Sequence, residues 1–202
     1  MSRIKLCGLS RMEDIEAVNL FLPDYIGLVF ASSKRQVSTA RAAALRKELD
    51  PRIRVAGVFV RNSPEEIRYL TDAGIVDIVQ LHGDESEEMI RQIRRETGKP
   101  VIKAVSVREP GDIWRWQDSE ADYLLFDQGK GGTGTVFNWE YLKQAKTVKK
   151  PFFLAGGLNP DNLERALAYE PYCVDISSGA ESHGRKDRNK IEKLIAIVRT
   201  QN

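Results

Sequence analysis

The N-terminal segment R-I-K-L-C-G-L-S, residues 3–10, carries the pattern from which the fold follows. Apolar side chains alternate with other residues up to Cys7, and the alternation ends at Gly8. This alternation is typical of a β-strand, so we predict the first strand over residues 4–7. Cys7 then lies at the C-terminal end of that strand. A single cysteine most often packs as a small apolar residue, so Cys7 on its own does not indicate catalysis.

Seven further apolar and β-branched segments follow, and each ends at a polar break. They predict strands over residues 25–30, 55–60, 78–82, 101–105, 123–127, 152–155 and 173–177. Helical patterns lie between many of them, at residues 41–49, 64–73 and 86–96, after Asn159-Pro160, and at 190–200. Residues 109–120 are poorly patterned and predict only a short or irregular helix.

Strands that are apolar on both faces and alternate with helices indicate a parallel sheet covered by helices. Eight such units predict an α/β fold, a compact single (β/α)8 TIM barrel that forms one catalytic domain over residues 1–202. A doubly wound open sheet is the alternative. The lack of a glycine-rich nucleotide-binding motif after the first strand argues weakly against that alternative.

The charge balance and the content of cysteine and histidine limit the class of protein. The 31 Lys and Arg residues nearly balance 29 Asp and Glu residues and are mixed with them, which argues against nucleic acid or an acidic membrane as partner. We interpret the basic segments 91–99 and 185–190 as solvated helix faces. Cys7, Cys173 and two histidines are too few for a disulfide framework or a structural zinc site. Because no apolar segment approaches ~18 residues and no signal peptide is evident, we expect a cytoplasmic protein.

Two small-residue turns follow the seventh and eighth predicted strands. The first contains Gly156 and Gly157, and the second contains Ser178 and Gly179. In (β/α)8 barrels the active site lies at the C-terminal strand ends, and phosphate commonly binds the loops after strands 7 and 8. Glycines let backbone N–H groups approach an anion closely. We predict a phosphate site here, for a sugar monophosphate because no Walker-type lysine motif is present; two incidental tight turns are the alternative.

Three charged or polar side chains fall on the same predicted rim, and a fourth lies inside a predicted strand. Asp127 ends an apolar strand, a setting that favours the protonated carboxyl of a general acid, although a capping or ion-paired role is the alternative. Arg35 suits recognition of a carboxylate. His82 closes the fourth strand and Asp175 lies inside the eighth, where a charge needs partners. We predict both as substrate-binding residues, with a structural role as the alternative. The glycine-rich loop that begins at residue 128 is a candidate lid or a flexible linker.

Short motifs along nearly the whole chain resemble the phosphoribosylanthranilate isomerases of tryptophan biosynthesis. Each motif alone is weak, but their order and spacing together are specific. They are K-L-C-G-L at residues 5–9, G-L-V-F at 27–30, S-K-R at 33–35, A-G-V-F-V at 56–60, V-Q-L-H-G at 79–83, F-D at 126–127, G-G-T-G at 131–134, F-N-W at 137–139, A-G-G-L-N at 155–159 and V-D-I-S-S-G at 174–179.

The resemblance implies an Amadori rearrangement of N-(5-phosphoribosyl)anthranilate, a phosphorylated small-molecule substrate. It makes Asp127 the general acid and Cys7 the general base, assigns Arg35 to the anthranilate carboxylate, and assigns the phosphate to the two small-residue turns. No metal and no organic cofactor are expected. We expect cations or backbone dipoles near Cys7 to lower its pKa, with Lys5 on the same strand face. A monomer and a homodimer both remain open.

Some residues depart from the family pattern, and two other functions stay open. Asn138 replaces an aspartate that is more usual in the family, and the loop after Glu181 is one residue shorter. A related barrel, the isomerase of histidine biosynthesis, is expected to carry aspartate at the position of Cys7. A non-catalytic sugar-phosphate-binding barrel is the second alternative, against which the presence of Cys7 and Asp127 argues.

Overall fold

The computed structural model describes residues 2–128, 138–143 and 149–200. Eight parallel strands close into a barrel in chain order, because β8 pairs with β1 as well as with β7. The predicted barrel is confirmed, and the open-sheet alternative is wrong. The strands are β1 (Arg3–Cys7), β2 (Tyr25–Val29), β3 (Arg54–Phe59), β4 (Ile78–Leu81), β5 (Val101–Ser106), β6 (Tyr123–Asp127), β7 (Phe152–Leu154) and β8 (Cys173–Ile176).

Helices cover the outside of the barrel. They are α1 (Met12–Phe21), α2 (Thr39–Glu48), α3 (Pro64–Asp72), α4 (Glu87–Thr97), α5 (Pro110–Trp114), α6 (Leu163–Leu167) and α7 (Arg188–Thr200), with single turns of 3-10 helix at Trp139–Lys143 and Ser178–Ala180. Within these described segments, no helix has both the length and the apolar content needed to cross a membrane.

The helix starts follow from local capping. The hydroxyls of Ser38, Ser63 and Ser86 accept hydrogen bonds from the N–H groups three residues ahead, at the starts of α2, α3 and α4. Each such cap contributes about 1 kcal/mol. Helix α1 was not predicted, because its start is held differently. The carboxylate of Asp14, inside the helix, reaches back to the N–H groups of Ser10 and Arg11.

Two apolar cores stabilise the barrel. The larger lies between the strands and the helices, and the smaller fills the interior at the N-terminal strand ends. In that interior the rings of Tyr25 and Tyr123 meet the ring of Phe153 edge-on, at centroid distances of 5.8 and 5.5 Å. The hydroxyls of Tyr25 and Tyr172 lie 3.2 Å apart, within hydrogen-bond distance. This aromatic layer closes the N-terminal end of the barrel, so the polar interior residues lie toward the opposite end.

The segment after β8 forms a small hairpin of β9 (Glu181–Ser182) and β10 (Arg185–Lys186). Its turn residues His183 and Gly184 both have positive φ, 51° and 74°, as a type I′ turn requires. The expectation that segment 185–190 forms a solvated helix face is wrong for Lys186. Its ammonium is buried and donates to the carbonyl of Ser177 at 2.9 Å and to Glu181 Oε1 at 2.7 Å.

Candidate active site

The barrel brings all the predicted site residues to its C-terminal half. Cys7 is the last residue of β1, and Asp127 is the last residue of β6. His82 directly follows β4, and Asp175 is the third residue of β8. Arg35 lies in the loop after β2, and the two small-residue turns follow β7 and β8. These residues are far apart in the sequence, but the strand ends that carry them lie together around one rim of the barrel.

Cys7 is partly exposed at this rim and is a free thiol, as is the buried Cys173. Its side chain fits because the facing residue is Gly27, where a Cβ would approach Cys7 Sγ to 2.6 Å. Burial raises the pKa of the Cys7 thiol, while the ammonium groups of Lys5 and Lys186 oppose that effect. The expectation of a lowered pKa is therefore wrong for this structure, because desolvation outweighs the two nearby cations.

Lys5 is fully buried two residues before Cys7. Its ammonium donates to Asp175 Oδ2 and to Gln80 Oε1, both at 2.8 Å. Burial acts to lower the pKa of Lys5, but the Asp175 carboxylate overcomes it and raises that pKa. Asp175 Oδ1 is buried and has no hydrogen-bond partner within the described part of the chain. A role for Asp175 in substrate binding stays a prediction.

Asp127 lies between His82 and the first glycine turn. Asp127 Oδ1 accepts a hydrogen bond from the N–H of Gln128 at 2.6 Å, and Oδ2 lies 3.5 Å from His82 Nε2. A Cβ on Gly156 would approach Asp127 Oδ1 to 2.9 Å, so the absence of a side chain there lets the turn lie against the carboxyl group. Asp127 thus adjoins the turn that is predicted to bind phosphate.

Arg35 lies over the end of β1. Its side chain crosses Gly8, where a Cβ would overlap Arg35 Cδ. The guanidinium binds Glu181 in bidentate form, with Nε–Oε1 and Nη2–Oε2 distances of 2.8 Å. Arg35 therefore binds a carboxylate in the bidentate geometry that is typical of arginine, and that carboxylate belongs to the same chain. A contact between Arg35 and a substrate carboxylate stays a prediction.

The turns after β7 and β8 lie against each other. Gly156 and Gly157 have φ values of 87° and 67°, which suit glycine. The side chains of Asn159 and Asn162 both donate to the carbonyl of Gly157, at 3.2 and 3.0 Å, and hold the turn in shape. A Cβ on Gly179 would overlap the carbonyl oxygen of Leu158, so the second turn fits against the first only as glycine. Two adjoining small-residue turns suit an anion.

Gly179→Ala is expected to weaken binding of inorganic phosphate by about tenfold, because a shift of the two turns costs at least one hydrogen bond to a charged group. Isothermal titration calorimetry measures this affinity. Gly111→Ala is the matched control, because a Cβ there meets nothing closer than Glu109 Oε1 at 3.6 Å. Equal phosphate affinities in the wild type and in Gly179→Ala contradict the assignment.

Glu181→Gln is expected to remove about 1.5–3 kcal/mol of stability at neutral pH, the range for hydrogen bonds to charged groups. Burial opposes ionisation of Glu181, but Arg35 and Lys186 lower its pKa from 4.5 to about 2. A lowered carboxyl pKa stabilises the folded state above the unfolded value, and this stabilisation is lost as pH falls from about 4.5 toward about 2. Urea unfolding between about pH 7 and pH 2 tests this expectation.

The matched control for Glu181→Gln is Asp50→Asn. The pKa of Asp50 is also lowered to about 2, by the hydrogen bond from Arg52, but this pair is exposed. Exposed ion pairs contribute little to stability, so Asp50→Asn is expected to leave the loss of stability at acidic pH nearly unchanged. If Glu181→Gln and the wild type lose the same amount of stability between about pH 4.5 and about pH 2, the prediction for Glu181 is contradicted.

A cleft of about 270 Å³ opens beside Asp127 at the ends of β4, β5 and β6. His82, Lys103, Arg108, Arg115, Trp116 and Asp127 are among its lining residues. Lys103 is buried and forms an ion pair with the buried Glu85 at 2.9 Å. Arg115 and Trp116 lie in the segment that the sequence indicated as poorly patterned, and Arg108 directly precedes it, so none of the three was predicted as part of the rim.

Gln80, Glu181 and Lys186 were not predicted as site residues from the sequence, and Lys5 was predicted without its partners. One signal was present for Lys5 and Gln80. In a strand, residues two apart share a face, so Lys5 shares the face of Cys7 and Gln80 shares the face of His82. The predicted lid at residues 128–137 lies outside the described residues, apart from Gln128. In the residues that the structure describes, no cluster of three or more His, Cys, Asp or Glu side chains forms a metal site.

Comparison with known proteins identifies the family. The family model for N-(5'phosphoribosyl)anthranilate (PRA) isomerase matches residues 4–196. The N-(5'-phosphoribosyl)anthranilate isomerase of Clostridium acetobutylicum is 44% identical over 205 aligned positions, which cover 98% of each chain.

Two solved structures are similar over 99% of this chain and 100% of theirs. Phosphoribosyl anthranilate isomerase from Thermus thermophilus matches with a TM-score of 0.91 and 32% identity. A phosphoribosyl anthranilate isomerase in complex with reduced 1-(o-carboxyphenylamino)-1-deoxyribulose 5-phosphate matches with a TM-score of 0.88 and 33% identity. The chain therefore belongs to the N-(5'-phosphoribosyl)anthranilate isomerase family.

Proposed function

We propose that this chain is an isomerase of tryptophan biosynthesis. It converts N-(5-phosphoribosyl)anthranilate into 1-(2-carboxyphenylamino)-1-deoxyribulose 5-phosphate by general acid–base catalysis. The observation that supports this best is one rim carrying a thiol at the end of β1, a carboxyl group at the end of β6, and adjoining glycine turns after β7 and β8. Membership of the family supports the same reaction.

Asp127 acts as the general acid. Its carboxyl proton passes to the ring oxygen of the ribose, the C1–O bond breaks, and the nitrogen lone pair forms the C1=N bond of an iminium ion. The carboxylate that remains accepts a hydrogen bond from the backbone N–H of Gln128 at 2.6 Å, and His82 Nε2 lies 3.5 Å from its other oxygen. Donors placed where negative charge develops lower the barrier of such a step.

Cys7 acts as the general base in the second step. Its thiolate removes the proton on C2, and the C–H electron pair neutralises the iminium to give an enolamine. The enolamine then takes up a proton at C1 and loses the proton of its C2 hydroxyl, so the net reaction is an isomerisation. Because burial raises the pKa of Cys7, the reaction depends on Lys5 and Lys186 to oppose that effect.

The remaining site residues hold the substrate between acid and base. The turns containing Gly156, Gly157, Ser178 and Gly179 bind the phosphate. Arg35 exchanges Glu181 for the anthranilate carboxylate, and His82 and Asp175 contact the ribose hydroxyls. Attachment at both ends fixes C2 and the ring oxygen against the catalytic groups, and such orientation supplies several kcal/mol of the rate enhancement.

Residues 1–202 act as one catalytic domain in the cytoplasm, as a monomer or homodimer, without a metal or an organic cofactor. Analytical ultracentrifugation of the purified chain decides between the two assembly states.

A direct activity assay tests the proposed function. N-(5-phosphoribosyl)anthranilate is generated immediately before use, and its fluorescence is followed after addition of the purified, folded protein. We expect the fluorescence to fall at a rate proportional to protein concentration. A folded protein that leaves the fluorescence unchanged contradicts the proposal and favours a non-catalytic sugar-phosphate-binding barrel.

A further inference from the structure

A continuous line of polar side chains crosses the interior of the barrel near the C-terminal strand ends. Lys5 Nζ lies 2.8 Å from Gln80 Oε1, Gln80 Nε2 lies 2.9 Å from His82 Nδ1, and His82 Nε2 lies 3.5 Å from Asp127 Oδ2. Lys5 and Gln80 are almost completely buried, with exposed fractions of 0% and 1%. The line therefore connects the strand that carries Cys7 to the strand that carries Asp127.

The chemistry of these groups determines the directions of the two hydrogen bonds that Gln80 makes. A lysine ammonium only donates, so the amide oxygen of Gln80 faces Lys5. The amide NH₂ group of Gln80 then faces His82 and also only donates, so His82 Nδ1 has to be the acceptor. A neutral imidazole carries one hydrogen, which leaves it on Nε2, the nitrogen that faces Asp127.

We propose that Gln80 is a positioning residue of the active site. Held by Lys5, it fixes His82 in the tautomer that carries hydrogen on Nε2, and it aims that N–H group at Asp127. The effect of Gln80 on the reaction rests on the proposed function, whereas its effect on the His82 tautomer does not. Gln80 itself contacts neither Asp127 nor Cys7 in the described hydrogen bonds; it acts through His82.

The burial of Gln80 explains why the arrangement is held firmly. An amide buried in this interior cannot replace its hydrogen bonds to protein with hydrogen bonds to water. The loss of one of these hydrogen bonds therefore costs free energy. If the amide turned over, its NH₂ group would face the Lys5 ammonium and its oxygen would face His82. The first of these contacts would place two hydrogen-bond donors against each other. Because the ion pair with Asp175 holds the Lys5 ammonium in place, that ion pair indirectly sets the orientation of Gln80.

The tautomer is measured directly by multiple-bond ¹H–¹⁵N NMR of protein labelled at histidine, at about pH 8, where an ordinary imidazole is neutral. The chain has two histidines, so a His183→Gln variant assigns the spectrum. We expect the hydrogen of His82 on Nε2 in the wild type. In Gln80→Glu, whose carboxylate only accepts, we expect it on Nδ1. A wild-type spectrum with the hydrogen on Nδ1 overturns the proposal, whether or not the protein turns over its substrate.

Steady-state kinetics with N-(5-phosphoribosyl)anthranilate separate positioning from a structural role. Gln80→Met and Gln80→Glu are each expected to lower kcat by about 10- to 100-fold, the loss expected from one hydrogen bond to a charged group, with KM nearly unchanged. In a His82→Gln background the further loss from Gln80→Met is expected to be less than about twofold, since the residue acts through His82.

Thr71→Val is the matched control for loss of a buried polar contact. The Thr71 hydroxyl is buried in α3 and donates to the carbonyl of Arg68 at 2.8 Å, within the helix layer. We expect Thr71→Val to change stability but not kcat. An unchanged kcat in the two Gln80 variants, or an equal loss from Gln80→Met with and without His82, overturns the proposal.

Discussion

Asp127→Asn is expected to lower kcat by about 10²- to 10⁴-fold, the contribution typical of a general acid. The substitution conserves shape, and the amide oxygen can still accept the hydrogen bond from the N–H of Gln128. The amide has no proton to give to the ring oxygen, so ring opening loses its catalyst. The fluorescence assay measures kcat, and calorimetry with inorganic phosphate is expected to show unchanged binding.

Asp122→Asn is the matched control, because Asp122 lies just before the same strand, at its opposite end. It binds Arg94 and the N–H of Val101 there, away from the rim. We expect this variant to keep the wild-type kcat, with some loss of stability. If Asp127→Asn turns over substrate at the wild-type rate, Asp127 is not the acid.

Cys7→Ser is expected to lower kcat by a similar factor, about 10²- to 10⁴-fold. A serine hydroxyl occupies nearly the same space but ionises far less readily than a thiol, so it is a poor base at neutral pH. The effect belongs to the C2 deprotonation step. Substrate labelled with deuterium at C2 therefore checks it, because the isotope effect on kcat should increase when this step becomes slower.

Cys173→Ser provides the matched control for Cys7→Ser. Cys173 is the first residue of β8 and is buried in the aromatic layer at the closed end of the barrel. Burial raises its pKa well above the ordinary value. We expect its replacement to alter stability and leave kcat unchanged. Full activity in Cys7→Ser removes Cys7 from the mechanism.

The barrel was predictable because its signal is local and repeated. Buried parallel strands need apolar residues on both faces, and all eight strands begin and end within a residue or so of the predicted limits. Helix α1 was missed because its N-terminus is capped from within, by Asp14, rather than by a preceding serine. The local signal thus predicts strands better than it predicts a helix whose cap is unusual.

The place of each candidate catalytic residue was also predictable, because parallel strands bring their C-terminal ends to one rim. The contacts between these residues were not. Lys5 and Gln80 are 75 positions apart and meet only when the barrel closes. Lys186 belongs to a segment whose charges resemble a solvated face, yet it is buried by pairing with Glu181 in the hairpin. Likewise, the pKa of Cys7 depends on how strongly the closed barrel desolvates the thiol, and this cannot be predicted from the spacing of residues in the sequence.

The most direct test of the site is a crystal structure of this chain with reduced 1-(o-carboxyphenylamino)-1-deoxyribulose 5-phosphate. We expect the phosphate within hydrogen-bond distance of the N–H groups of residues 156–157 and 178–179, the carboxylate on Arg35, and the C2 region between Cys7 Sγ and Asp127. A phosphate bound instead in the cleft beside Arg108 and Arg115, with Cys7 remote from the sugar, would contradict the proposed roles of these residues.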